Sequence, residues 1–213
     1  MFLEAHIMKI LFSLILMLTT WRATAQESVS TARSVWNHSF QTYFFIREDF
    51  LILPMYMTNN DWLHLEARYN YENRNTFSGW IGYNFSGGNK FKYMITPMAG
   101  GIAGKTNGIA PGLELDLTFE GLELYSENEY VFDLEDAKGH FFYSWTEASY
   151  SPLKWIWFGI TSQWLKAKGA KLLLQPGVML GGGYRWFGLT AYLYSRESEI
   201  YGILLLTVTV PEP

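Results

Sequence analysis

His64, Glu66, Arg68 and Asn70 occupy every second position of one short segment, alternating with Leu63, Leu65, Ala67 and Tyr69. In an extended chain successive side chains point to opposite faces, so the four polar groups share one face. An imidazole beside a carboxylate and a guanidinium supports two kinds of chemistry. Glu66 could orient His64 as the base of a hydrolase acting on lipid or envelope material, provided a nucleophile stands beside the ring. Equally, the same groups hold water and bias the passage of charged solutes through a pore. No spacing places a serine next to His64. His38 precedes Ser39, which an extended strand turns to the other face, and His140 stands at a strand edge with Ser144 four residues on. The sequence therefore predicts no catalytic residue, and the hydrolase is the second reading.

Other segments extend the polar face. Lys90 and Lys92 alternate with Phe91 and Tyr93; Glu114, Asp116 and Glu120 alternate with Leu115, Leu117 and Phe119; Glu123, Glu127 and Glu129 follow on the next segment. Together with His64, Glu66, Arg68 and Asn70, these are the candidate lining of a lumen, acids opposite bases. Glu127 and Glu129 share a face, but no loop has the spacing of a calcium site. Gly181, Gly182 and Gly183 lead into no lysine or helix that would make a phosphate loop. No metal, cofactor or cofactor-binding residue is expected.

The elements that must position these groups are long. Period-two runs of about 10 to 12 residues, twice an ordinary soluble strand, match the length of a tilted membrane strand. They fall at 50–57, 62–73, 76–87, 90–101, 109–120, 122–133, 140–151, 154–165, 170–181, 185–196 and 200–210, with 39–47 as a twelfth. Turn residues separate them at nearly regular spacing. The expected fold is all-β: a transmembrane antiparallel up-and-down barrel of twelve strands, with ten as the alternative if 39–57 forms one bent strand and another pair is overcounted. With both termini periplasmic, the outward connections from the fifth onward are the longer ones, about seven, six and five residues against two inside. Pro54, Pro97, Pro111 and Pro176 fall within these runs, where each removes a ladder donor. Trp155 and Trp157 share one face of their run, opposite Ile156, Phe158 and Ile160, so one of those faces must put large apolar groups into the lumen or against another chain.

Residues 8–25 carry Lys9, an apolar run over 10–18 and Ala23, Thr24, Ala25 before Gln26, the pattern of a cleaved secretory signal, with translation beginning at Met1 or at Met8. Removing residues 1–25 takes Glu4, Lys9 and Arg22 and leaves 14 basic and 19 acidic residues. Residues 26–38 read as a tail and 39–210 as the barrel. The whole chain has 213 residues, 18% aromatic and 17% charged, and no cysteine. Its net charge of −4 supplies no basic field for nucleic acid, and zero cysteine removes disulfides and thiolate sites.

The runs LHLEARYNYE (63–72), GYNFSGG (82–88), ITPMAGG (95–101), NGIAPG (107–112) and ELYSENEYVFD (123–133) resemble those of uncharacterised predicted outer-membrane β-barrel proteins of diderm bacteria. The resemblance implies a barrel in the outer membrane, in contact with its lipid and lipopolysaccharide and delivered by the barrel-assembly machinery; it transfers no site residue and no oligomeric state. The expectation is a small passive channel or structural membrane component, not an enzyme. A soluble periplasmic β-barrel binding protein is the remaining alternative.

Overall fold

The computed structural model describes residues 36–197 and 199–211, so the expected signal peptide, tail residues 26–35 and the last two residues lie outside the described residues. The strands are β1 (Asn37–Ile46), β2 (Leu51–Asn59), β3 (Leu63–Tyr69), β4 (Thr76–Tyr83), β5 (Phe85–Gly88), β6 (Phe91–Gly104), β7 (Gly108–Phe119), β8 (Leu122–Asp133), β9 (Phe141–Leu153), β10 (Ile156–Ala167), β11 (Leu173–Tyr184), β12 (Phe187–Arg196) and β13 (Glu199–Pro211). All pairings are antiparallel, and β13 returns to β1 from Asn37 opposite Pro211 to Ile46 opposite Gly202, which closes the sheet into a barrel. β4 and β5 lie on β6 in one continuous register, Gly82 opposite Met98 and Phe85 opposite Ile95. They are two halves of one stave, so the barrel has twelve staves and the ten-strand alternative is set aside.

The prolines explain the irregularities. Pro97 sits in β6 at the register position facing Tyr83, and there the ladder breaks between β4 and β5. Asn84 in the gap finds other partners: its N–H donates to Trp62 O at 2.8 Å, and its Oδ1 accepts from Thr96 Oγ1 at 2.7 Å. β2 pairs with β3 only from Met55 onward, directly after Pro54. The β7–β8 ladder skips from Ile109 to Gly112 across Pro111, and the β11–β12 ladder starts at Gly177, directly after Pro176. Each missing donor therefore falls at a ladder end or gap. A register shift between Ile156 and Phe158 marks the place where β10 passes Pro152.

Connections at one end run four, six, three, seven, five and two residues; at the other, three and then two throughout. The fifth connection is three residues rather than about seven, because β6 continues to Gly104 and β7 begins at Gly108. Among the short turns, Glu120 (φ 46°) and Gly121 (φ 86°) both take the left-handed conformation that a two-residue hairpin turn matching strand twist requires.

The exterior is apolar. Ile81, Leu113, Val178, Leu180 and Leu189 are exposed around the middle, and Ile160 shows 66% of its surface. Trp62, Tyr83, Phe91, Tyr150, Trp155 and Trp186 crowd the short-turn end, while Tyr69, Phe77, Phe132 and Trp164 lie toward the other. Such a surface is insoluble as a free wall and matches a lipid belt with interfacial rings, which sets aside the soluble barrel. Trp155 and Trp157 do not share a face after all. Trp155 lies in the turn before β10 and is exposed, whereas Trp157 turns inward, its indole N–H donating to Thr190 Oγ1 at 3.2 Å.

Inside, rings fill space above small residues. A Cβ on Gly100 would stand 2.5 Å from the Trp80 ring, whose other face carries the Arg68 guanidinium at 4.7 Å. Gly100→Val is therefore expected to displace Trp80 and cost roughly 1–3 kcal/mol, read as a lower urea midpoint. Ala99→Val, on the lipid face of the same strand, is expected to leave the midpoint unchanged.

Candidate functional site: the charged lumen

β3 positions the site by strict alternation. Leu63, Leu65 and Ala67 face out, while His64, Glu66 and Arg68 are buried inside. β7 and β8, across the lumen, contribute Glu114 and then Glu127 and Glu129. Arg68 gathers them. Its Nε donates to Glu66 Oε2 at 2.5 Å, and its Nη2 pairs with the same oxygen. Nη1 lies 2.6 Å from Glu127 Oε1 and 3.2 Å from Glu129 Oε2. The guanidinium plane rests on Tyr71 at 4.4 Å and Trp80 at 4.7 Å. A planar fork with five donors suits this arrangement, since a point charge could not reach three carboxylates at once. The acids still exceed the bases: Oε1 of Glu129 and Oε2 of Glu72 are buried without a hydrogen-bond partner among the described residues.

The neighbouring chain completes the cluster. Tyr71 OH donates to Glu127 Oε2 and Tyr125 OH to Glu114 Oε1, both at 2.9 Å. His64 Nδ1 lies 2.8 Å from Asn59 Oδ1, and Nε2 lies 2.6 Å from Glu66 Oε1 and 3.7 Å from Glu114 Oε2. With both ring nitrogens engaged, His64 has none left to deprotonate a hydroxyl. His38 Nδ1 is held by Tyr56 OH and Thr58 Oγ1, and His140 Nε2 by Asp133 O, so neither histidine is paired with the serine near it in sequence.

This cluster divides the lumen. A chamber of about 250 Å³ toward the short turns is lined by Asn59, His64, Glu114, Asp116, Glu123 and Glu147, among others. A second, of about 140 Å³, lies toward the longer connections against Arg47, Asn70, Tyr71, Tyr143, Trp145 and Gln163. Tyr43 borders both. Between them Arg68 is 1% exposed and Glu129 2%, so the cluster itself is packed and the lumen is narrowed at that level.

Of the twelve residues expected to line a lumen, the structure brings His64, Glu66, Arg68, Glu114, Glu127 and Glu129 together in the buried cluster. Asp116 and Glu123 border the larger chamber and Asn70 the smaller. Lys92 shares the inward parity of Thr96 and Met98 but is exposed at the end of β6, and Lys90 and Glu120 are exposed in two-residue turns. Tyr71 and Glu72 were placed on a strand over 62–73. Instead β3 stops at Tyr69; Asn70 takes φ 63°, and the 70–75 connection folds Tyr71 into the lumen. Glu72 Oε1 accepts from Trp80 Nε1 at 3.3 Å. Asn70 before Asn73 and Asn75 was the signal, since asparagine adopts the left-handed turn conformation readily.

A closed antiparallel barrel with an apolar exterior and a polar, charged interior is a transmembrane β-barrel of the outer-membrane kind. Among solved structures the fold is similar to the KdgM porin, with a TM-score of 0.55 and 10% identity over 81% of this chain and 98% of that one. It is equally similar to the KdgM porin in complex with disordered oligogalacturonate: TM-score 0.55, 11% identity, 82% of this chain and 98% of the other. No protein-family model and no curated protein sequence matches the chain.

Proposed function

We propose that the chain is a narrow outer-membrane channel of the porin kind that favours small cations, with the Arg68 cluster as the constriction of its lumen. The observation that carries this reading is the interior charge: Glu66, Glu114, Asp116, Glu123, Glu127, Glu129 and Glu147 face inward against Arg68 and His64. A low-dielectric wall focuses such a field and raises the local concentration of counter-ions. The same field repels polyanions. The oligogalacturonate bound by the KdgM porin is therefore a poor guide to the solute here. In this reading the short turns face the periplasm, the longer connections face outward, and the apolar belt meets outer-membrane lipid and lipopolysaccharide after insertion by the assembly machinery.

Planar-bilayer recordings under a salt gradient test the charge selectivity. The wild type is expected to give a cation-selective reversal potential, reduced in Glu114→Gln with Asp116→Asn and smaller for all variants at high ionic strength. A reversal potential that ignores both substitutions removes the larger chamber from the conduction path.

A further inference from the structure

We propose that His64, Glu66 and Glu114 form a binding site for one divalent cation of the zinc class, at the wall of the larger lumen chamber. The inference does not depend on conduction. One ligand atom from each of the three lies within 4.8 Å of the others, drawn from β3 on one side and β7 on the other. Each side chain is already held by its remaining atom. His64 Nδ1 meets Asn59 Oδ1 at 2.8 Å, Glu66 Oε2 is clamped by Arg68, and Glu114 Oε1 accepts from Tyr125 OH at 2.9 Å. This is the outer-shell support that orients metal ligands, and it leaves His64 Nε2, Glu66 Oε1 and Glu114 Oε2 grouped together as the atoms that would take the ion.

The hydrogen-bond chain also fixes which atoms face inward. Asn84 Nδ2 donates to the Asn60 carbonyl at 3.4 Å, which can only accept, and the same nitrogen faces Asn59 Oδ1 at 3.0 Å. Asn59 thus presents oxygen to His64 Nδ1, which must carry a proton. Nε2 then faces Glu66 Oε1 at 2.6 Å, and two acceptors meet at that distance only across a proton or a metal cation. A tetrahedral zinc with bonds near 2.1 Å places its ligands roughly 3.4 Å apart. The 3.7 Å from His64 Nε2 to Glu114 Oε2 fits, and the 2.6 Å pair must open by less than about 1 Å. One imidazole with carboxylates and no thiolate suits zinc better than calcium or magnesium, which prefer all-oxygen shells. The chamber beside His64 and Glu114 gives the ion its entry and its remaining water ligand.

The test is calorimetric titration of ZnCl₂ into the chelator-stripped, detergent-folded barrel, with folding of each variant checked by heat-modifiable gel migration. One saturable site is expected. His64→Gln and Glu114→Gln should each weaken it roughly ten- to a hundredfold, Glu147→Gln on the same chamber should not, and excess Mg²⁺ should not displace zinc. Absence of a saturable site overturns the proposal. So does undiminished affinity in either ligand variant, or equal competition by Mg²⁺, which would reduce the site to a general acidic field. Should His64→Gln fail to fold, Glu114→Gln decides alone, since its carboxamide keeps the acceptor for Tyr125.

Discussion

Replacing Arg68 by alanine is expected to lower the unfolding free energy of the barrel by about 3–5 kcal/mol, the range for breaking a buried ion pair and stranding its partners. Glu66, Glu127 and Glu129 all point at this guanidinium, and each is at most 5% exposed. Without it three carboxylates converge in a space that water scarcely reaches, and the aromatic platform of Tyr71 and Trp80 loses the cation that it holds. Urea titration of the folded barrel in detergent, followed by tryptophan fluorescence, reads the loss as a lower midpoint at constant slope. Two further variants assign the cause. Arg68→Lys should fall between wild type and alanine, because an ammonium keeps the charge but loses the fork that reaches three acids. Adding Glu127→Gln and Glu129→Gln to Arg68→Ala should recover part of the stability, since amides strand no charge. A loss of less than about 1 kcal/mol in Arg68→Ala, or no recovery in the triple variant, would mean that the cluster is solvated and does not hold the staves together.

The clarity of the sequence varied along the chain for physical reasons. β3, β7 and β12 were readable residue by residue because lipid on one side and packed side chains on the other penalise any slip of parity. Leu63 to Ala67 and Phe187 to Leu193 alternate as they do for that reason alone. Prolines looked like objections to long strands, yet each one marked a gap or end in a ladder on one side only. Strand ends were less readable. Asn70 and Glu120 are left-handed turn residues, and a turn redirects the next side chain whatever the alternation before it. Tyr71 therefore left the lipid face for the lumen, and Glu120 left the lumen for solvent. What the pattern could not reveal was height. Arg68 and Glu129 are 61 positions apart and meet only because the tilt and stagger of five staves bring them level. Faces follow from alternation within one strand, but a cluster across a barrel depends on the register of every ladder between.

Tyr43→Ala is expected to raise single-channel conductance several-fold while leaving the fold in place. Tyr43 is the residue common to the two chambers, so its ring is the thinnest part of the partition, beside the Arg68 cluster rather than within it. Its ring packs against the cluster of Trp145, Tyr192 and Leu205. Its hydroxyl donates to Gln41 Oε1 at 2.9 Å, and its ring meets Trp145 edge-on with centroids 5.7 Å apart. Truncation leaves Gln41 on the larger chamber, where water can replace the lost partner, so the stability cost is that of the ring's packing and strands no charge. The gain in conductance follows from the geometry of series resistance: two chambers already wide enough for hydrated space are limited by the one constriction that separates them. Tyr43→Phe keeps the ring and loses only the hydroxyl, so it should conduct like the wild type; an increase there would assign the barrier to the hydrogen bond instead. Gln163 and Trp145, on the smaller chamber, remain in place in both variants and serve as the common wall. If Tyr43→Ala folds and conducts no better than the wild type, the barrier is the whole Arg68 layer rather than the Tyr43 ring beside it.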